Sequence, residues 1–463
     1  MTHRHVAVID IGKTNAKLAL VAAADLSEVA VVTLPNTVLD SPPYPHFDVE
    51  KIWAFLLDAL AGFHEQYGVD AISITTHGAS GALIAADGSL AAPILDYEYS
   101  GPDGVGEEYN ALRPRFEETG SPRLSMGLNL GAQIHWQFSQ DASLRERTES
   151  IVTYPQYWGH RLTGVLACDV SSLGSHTDLW NPFRAEFSSL VDRLEIRDKM
   201  APARNPTDVL GQLLPEITAR TGLALETPVL CGIHDSNASL LPHLMRREPP
   251  FSVVSTGTWV IAMTVSGQKI ALDPARDVLV NVNGMGEPVP SARFMGGREH
   301  EIILAGQSAI CDAAALNAVA ENGPLLMPAV VTESGPFQGR IHNWIGPEPE
   351  QGTPERSAAL SFYLAMMTAE CLSLTGHQGP IIVEGPFAAN VSYCEMLHAV
   401  TDWPIFLSNS ATGTSQGAAQ LALSSGIFPE GPRPMPFRSS SDSDYRAYAE
   451  KWRRALGRGL ITI

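Results

Sequence analysis

The alternation of apolar and polar positions changes period several times along the chain, and each change marks an element. Val6-Ala7-Val8-Ile9 leads into Asp10, Gly12 and three polar residues, and Lys17-Leu18-Ala19-Leu20-Val21 alternates directly after them. Period-two apolar residues on both sides of a glycine predict strand, tight turn, strand. A helix is predicted over 48–65, where Val49, Ile52, Trp53, Phe55, Leu56, Leu60 and Phe63 recur at helical spacing. Ala71-Ile72-Ser73-Ile74-Thr75 reads as a strand running into His77-Gly78, and Ala82-Leu83-Ile84-Ala85 leads to a hairpin turn at Asp87-Gly88. Helical stretches follow near 105–118 and 132–148, and a further helix starts at 151–155 and ends around Leu162-Thr163-Gly164.

The second half repeats the opening device. Val229-Leu230-Cys231-Gly232-Ile233-His234-Asp235 is a strand leading to glycine and acid, followed by a small-residue helix at Ser236-Asn237-Ala238-Ser239. Phe251-Ser252-Val253-Val254-Ser255 ends in the polar turn Thr256-Gly257-Thr258-Trp259, and Val260-Ile261-Ala262-Met263 resumes the strand. Two halves that each open strand, polar glycine turn, strand suggest duplicated α/β domains around a central cleft, 1–245 and 246–463, divided at Arg246-Arg247-Glu248-Pro249-Pro250. Ile381-Ile382-Val383-Glu384-Gly385-Pro386 is a buried strand ending in glycine, with a helix to follow from Asn390 to Val400. The stretch 426–443 is rich in Gly, Pro and Ser and reads as loop. A last helix places Tyr445, Tyr448, Trp452 and Leu456 on one face as core.

Composition narrows the class. The 463 residues suffice for two or three domains, and 44% hydrophobic with 17% charged residues is the balance of a soluble globular protein. A formal charge of −19 opposes general nucleic-acid binding, while a local turn or helix terminus can still hold an anionic substrate. Five dispersed cysteines (Cys168, Cys231, Cys311, Cys371, Cys394) fit reduced thiols in a cytoplasmic protein. The start Met1-Thr2-His3-Arg4-His5 is not a signal peptide, and no run approaches ~20 uninterrupted apolar residues, so no membrane span is expected.

The chemistry-bearing residues gather at the strand ends. In the first hairpin Gly12 frees the backbone, so turn amides with Thr14 and Asn15 can reach a phosphate, and Asp10 faces the same spot as a carboxylate for nucleotide-bound Mg2+. Gly12-Lys13-Thr14 imitates the end of a P-loop, but Ala7 stands where that motif needs glycine and a strand, not a helix, follows. An ordinary hairpin with a polar turn fits this segment alone equally well. His77-Gly78, His234-Asp235, Gly257-Thr258, Gly385 and the segment from Thr412 through Gly417 complete the set, and each is also what an α/β protein uses for close packing. Gly413-Thr414-Ser415-Gln416-Gly417 matches the G-x-S-x-G of a hydrolase, but that fold needs a later triad histidine and none follows His398.

Taken together and in this order, the motifs resemble the FGGY family of carbohydrate kinases, within the superfamily of sugar kinases, Hsp70 and actin. The residues that carry the resemblance are Asp10-Ile11-Gly12-Lys13-Thr14-Asn15, Arg161-Leu162-Thr163-Gly164, Gly232-Ile233-His234-Asp235, Ser255-Thr256-Gly257-Thr258-Trp259, and Glu384-Gly385-Pro386 with Thr414 to Gly417. The resemblance implies two actin-like, ribonuclease H-like domains and ATP-dependent phosphorylation of a sugar hydroxyl. It implies Asp235 as the base that takes the hydroxyl proton, a residue that would also serve as a helix N-cap. Gly12, Lys13, Thr14, Asn15, Gly257, Thr258, Gly385 and Gly417 would meet phosphate or nucleotide, and Asp10 would orient Mg2+ through water. His77, Gly78, His234 and Asp235 would frame the sugar.

Two departures stand out. Lys13 replaces the threonine of many relatives, and either adds charge to the phosphates or points to solvent. Pro386 replaces a usual glycine, which leaves another phosphate donor open. His234 before Asp235, with Pro93-Ile94-Leu95-Asp96-Tyr97, looks more like the rhamnulose and fuculose kinase branch, implying an L-6-deoxyketohexose or related ketopentose phosphorylated at a terminal hydroxyl. Gly297-Arg298-Glu299-His300-Glu301 is either a cleft-lining cluster or an exposed helix start. The expected partners are the sugar and ATP, with a homodimer left open. The rival reading is a non-catalytic protein of the same superfamily, which would keep the nucleotide motifs and lose the base.

Overall fold

The computed structural model describes residues 4–408, 413–423, 434–438 and 443–457. The expectations for 1–3, for Thr412, and for the parts of 426–443 beyond 434–438 lie outside the described residues. The chain forms two compact units. The first holds 4–246 together with 280–288 and 413–423, and the second holds 247–279, 289–408 and the remaining described residues.

In the first unit His5–Ile11, Asn15–Ala22 and Glu28–Pro35 form an antiparallel meander, with Asp10 opposite Lys17 and Ile11 opposite Ala16. Ala71–Thr76 then runs parallel to the first strand. Val229–Leu230 and Ile233–His234 add to its far side, also parallel. The helix Val49–Tyr67 is capped by Asp48, which accepts from the Lys51 N–H, and it buries Val49, Ile52, Leu56, Leu60 and Phe63. On the other face Val6, Val8, Ala19 and Val21 pack with Ala238 and Leu241 of the helix Asp235–Arg246 and with Ala418, Ala419 and Leu421.

The second unit repeats the plan. Phe251–Thr256, Val260–Val265 and Pro288–Phe294 make the meander, and Ile381–Glu384 and Ile405–Ser408 run parallel beyond its first strand. Met435–Pro436 adds a short antiparallel strand inside the stretch read from sequence as loop. The core is dominated by the helix Pro354–Leu374, which is long and apolar enough to cross a membrane, yet most of its side chains are buried within the unit. The last helix, Ser443–Ala455, buries Tyr445, Tyr448 and Trp452 as its stripe predicts, with Leu456 just beyond it.

Two predicted helices break. The stretch 105–118 divides into Gly106–Leu112 and Phe116–Thr119, because Pro114 forces Arg113 into an extended conformation. The stretch 132–148 divides into Leu130–Gln140 and Leu144–Arg147, where Asp141 accepts from the Ser143 N–H and hydroxyl at 2.9 and 2.7 Å and offers the backbone a turn instead. The five cysteines are free thiols.

Candidate active site

The first hairpin turn is closed by the Gly12 N–H, which donates to the Asn15 carbonyl at 2.9 Å. Asn36 braces it: its side-chain amide donates to the Gly12 carbonyl at 2.8 Å and its own N–H to the Thr14 carbonyl at 2.9 Å. Thr14 and Asn15 are exposed, with Asn15 Nδ2 donating to Thr14 Oγ1 at 3.2 Å. The turn therefore presents two polar side chains to an incoming group, while the Gly12 amide is engaged internally. Beneath it Lys17 Nζ lies 3.1 Å from Asp10 Oδ2 and 3.7 Å from Glu28 Oε1. Burial pushes the Asp10 carboxyl above the usual range, Lys17 draws it back, and the Asp235 and Glu28 carboxylates add to the rise.

Lys13 faces elsewhere. Its ammonium pairs with Asp96, lies 3.2 Å from Glu98 Oε2, and sits 4.8 Å above the Tyr97 ring and 5.3 Å above that of Phe47. The expectation that Lys13 meets phosphate or points to solvent is thereby corrected. Two carboxylates and two rings already hold the charge, and withdrawing it would strand the buried Asp96.

His77 follows the strand Ala71–Thr76, its N–H donating to the Ile11 carbonyl at 2.9 Å. Its ring is packed among Phe47, Tyr97 and Tyr154, with Nδ1 2.8 Å from the Gly78 carbonyl. That contact places the proton on Nδ1, and Nε2 is left buried with no protein partner. Burial pulls the ring down to about 4, against the pull of the Gly78 carbonyl and of Asp235. His77 is a neutral ring with one lone pair to offer a hydroxyl.

Asp235 opens the helix Asp235–Arg246 directly after the strand Ile233–His234. The Ser236 N–H donates to its Oδ1 at 2.6 Å, and His234 Nε2 lies 3.3 Å from the same oxygen. Burial pushes the carboxyl up while His77 and the Ser236 N–H pull it down. The side chain keeps 35% exposure, so water tempers the upward push.

His234 is 6% exposed, and burial lowers its ring to about 4. Nδ1 meets Ser175 Oγ at 3.2 Å and Asn237 Nδ2 at 3.3 Å. Nδ1 is taken by protein groups, while Nε2 lies beside the Asp235 carboxylate without a hydrogen bond to it. Gly78 is explained by the same ring: a Cβ there would lie 2.7 Å from His234 Nε2, so its contribution is space for an imidazole.

In the second unit the Gly257 N–H donates to the Trp259 carbonyl at 2.9 Å, and Thr258 is exposed. Thr256 Oγ1 donates to the Glu384 carbonyl and accepts from the Phe387 N–H, tying turn to turn. Gly385, at φ +79°, is required there, since a Cβ would come 1.9 Å from the Thr256 carbonyl. The helix Gly296–Leu304 abuts the same turn, the Gly297 N–H donating to the Thr258 carbonyl at 3.2 Å. Arg298 and Glu301 are exposed on this helix and paired at 3.2 Å, so the charged cluster is a helix start. Its member Glu299 is buried, accepts from the Val331 N–H and the Tyr363 hydroxyl at 3.0 Å each, and is pushed up to about 7 by burial.

Gly417 belongs to the first unit, in the helix Gly413–Gln420. A Cβ there would stand 1.7 Å from the Ala238 carbonyl, so the glycine serves close helix packing. No group of three or more His, Cys, Asp or Glu able to hold a metal occurs among the described residues. A single carboxylate, Asp10, suits a hydrated Mg2+ that arrives on nucleotide phosphates. Sequence reasoning missed Asn36, Ser171, Ser175 and Asn237; the one available signal was Asp169-Val170-Ser171-Ser172, whose acid caps a short helix.

Two family models match the chain: "FGGY family of carbohydrate kinases, N-terminal domain" over residues 5–242 and "Carbohydrate kinase FGGY, C-terminal domain" over 248–430. An L-fuculokinase of Salmonella typhi is 24% identical over 275 residues, 57% of each chain. The chain thus spans little more than half the length of this curated relative. A carbohydrate kinase from Novosphingobium aromaticivorans superposes with TM-score 0.89 at 35% identity, covering 97% of this chain and 100% of that one. A ligand-bound xylulose kinase from Lactobacillus acidophilus superposes with TM-score 0.77 at 15% identity, covering 98% of each, a likeness of fold.

Proposed function

The chain belongs to the FGGY family of carbohydrate kinases, and from that premise we propose that it transfers the γ-phosphoryl group of ATP to a terminal hydroxyl of a ketose, with Asp235 as general base. The observation that carries this reading is the setting of Asp235: a carboxylate 35% exposed at a helix start and within electrostatic reach of His77, whose Nε2 has no protein partner. An alcohol is a weak nucleophile at neutral pH, so its proton passes to Asp235 as its oxygen forms a bond to the γ-phosphorus. The bond from that phosphorus to the β-γ bridging oxygen breaks, and ADP leaves. His77 Nε2 accepts from a second hydroxyl and orients the sugar. Thr14 and Asn15 on the exposed turn of the first unit would meet phosphate oxygens of the nucleotide. Asp10 would hold the water shell of Mg2+, which when bound would supply charge neutralisation on the phosphate oxygens.

The acceptor that best fits is uncharged. Lys13 is already matched by Asp96 and Glu98, which leaves no spare cation in that cluster for a sugar acid. Likeness to L-fuculokinase favours an L-6-deoxyketohexose, L-fuculose or L-rhamnulose, and likeness of fold to a xylulose kinase keeps a ketopentose as the second reading. A coupled ADP-release assay over ketoses and polyols tests the activity. Asp235→Asn is expected to lower kcat by at least about 100-fold with sugar affinity retained. Wild-type-like turnover in that variant, or no sugar-dependent ADP from the wild type, refutes the reading. The second result would favour a binding protein that no longer phosphorylates sugars.

A further inference from the structure

We propose that Tyr97 is a specificity-determining residue for the acceptor, its hydroxyl reading one sugar hydroxyl while His77 Nε2 reads another, and that Lys13 positions its ring. The proposal rests on the kinase reading above and deepens it. The Tyr97 ring stands edge to face with that of His77, the centroids 5.1 Å apart and the planes at 64°. Its side chain is half-buried, and the hydroxyl has no hydrogen bond to any described residue yet is not sealed off. Burial pushes the phenol up, and the charges of Glu98, Asp235 and Asp96 push the same way, so it keeps its proton and can donate. His77, for its part, feels the charges of Asp235 and Lys13 and offers a bare Nε2. The phenol and the imidazole thus lie within electrostatic reach of one carboxylate, the proposed base, all inside the first unit. A sugar set on Asp235 would meet one group that only accepts and one that donates, and would be read at two further hydroxyls. A missing hydroxyl would leave such a group unpaired, which discriminates far more strongly than an apolar wall does.

Lys13 holds the residue before Tyr97, the residue after it and the ring itself. Its ammonium pairs with Asp96, lies 3.2 Å from Glu98 Oε2 and sits 4.8 Å from the centre of the ring. Backbone bonds fix the same segment independently. The Asp96 N–H donates to the Pro45 carbonyl and the Gly127 N–H to the Tyr97 carbonyl, at 2.9 Å each. The path of the chain is therefore set without the lysine, and what the lysine adds is the direction of the ring. Acting through Tyr97 rather than on substrate, it is a positioning residue.

The test uses the full-length chain with excess Mg-ATP, the ketose it accepts among L-fuculose, L-rhamnulose and the xyluloses, and the monodeoxy analogues of that ketose. Tyr97→Phe removes the hydroxyl and keeps the ring. It should raise KM for the ketose on the order of tenfold, with kcat within about threefold and KM for ATP within about twofold. In the wild type one monodeoxy analogue should fall in kcat/KM on the order of tenfold or more, and in Tyr97→Phe that disadvantage should shrink by about tenfold. A residue that only packs would leave this ratio where it was. Lys13→Met combined with Asp96→Asn, which strands no carboxylate, should shrink the ratio by about threefold or more, and Lys13→Arg, which keeps a cation at the ring, should retain it. An unmoved ratio in Tyr97→Phe, or a loss confined to kcat, would overturn the role of Tyr97. An unmoved ratio in the Lys13 and Asp96 double variant would overturn that of Lys13. A wild type that phosphorylates nothing overturns the kinase reading and this one with it, whereas an active enzyme whose ratio ignores Tyr97 overturns this one alone.

Discussion

The two hairpin turns, one in each unit, use the same backbone device and differ in what supports it. In the first, Asp10 faces Lys17 across the ladder and a side chain, Asn36, braces the turn. In the second, the corresponding pair is Ser255 with Ile261, and the bracing comes from backbone: the Gly385 turn packed on Thr256 and the helix start at Gly297. The first turn thus carries charge two residues before its glycine and can take part in proton and cation chemistry. The second offers only neutral hydroxyl and amide groups, at the cost of two glycines that no other residue can replace. One turn is charged and braced by a side chain, and the other is neutral and braced by backbone.

The sharpest way to break this contrast is to add a methyl to each turn. Gly385→Ala should destabilise on the order of 3 kcal/mol, since the new Cβ meets backbone in a left-handed position. Gly12→Ala should shift the melting temperature little, as its Cβ would find nothing nearer than 3.4 Å. Similar losses in calorimetry would mean that the two turns are supported alike. The next effect is catalytic: Asp10→Asn should lower kcat by about 100-fold, while Thr258→Val should raise KM for ATP by about tenfold with kcat less affected. Steady-state kinetics in which the two variants behave alike would dissolve the division of labour.

A smaller effect belongs to the brace of the second turn. Glu299, pushed up to about 7 from its ordinary 4.5, keeps a proton in the folded protein that the unfolded chain releases between those values. Its contribution therefore favours the fold at low pH and is lost as pH rises from about 4.5 to about 7, with a slope of at most about 1.4 kcal/mol per pH unit. His77 and His234, lowered to about 4, act in the opposite sense, so the difference between wild type and Glu299→Gln in denaturant titrations isolates the glutamate. A difference independent of pH would remove Glu299 as the cause. The smallest effect expected is that of Lys13→Met on ATP. KM for ATP should stay within about twofold while KM for the sugar rises, and a large change for ATP alone would return Lys13 to the phosphates.

Periodicity and turn glycines made the repeated meander, the helix over 48–65 and the final aromatic stripe legible, because each depends on residues close in sequence. The helix Pro354–Leu374 escaped the same reading: a helix apolar nearly all round has no polar face to supply a period. At the site, the type and position of Asp10, Thr14, His77 and Asp235 were readable, but the orientation of Lys13, His234 and Gly417 was not. Each of those is decided by a partner far along the chain, Asp96, Ser175 and Ala238 respectively. A lysine inside a phosphate-type turn gives no sign in sequence that a carboxylate 83 residues away has claimed it.

The segment 413–423 imposes an order of events on synthesis. The Ser73 hydroxyl donates to the Ala418 carbonyl at 2.6 Å, and the layer over the first meander includes Ala418, Ala419 and Leu421. A chain emerging from the ribosome therefore covers Val6, Val8, Ala19 and Val21 only in part, through Ala238 and Leu241, until more than four hundred residues have been made. The unit begun first is finished nearly last, and a nascent chain that stalls in the second unit leaves the helix Asp235–Arg246 without its neighbour.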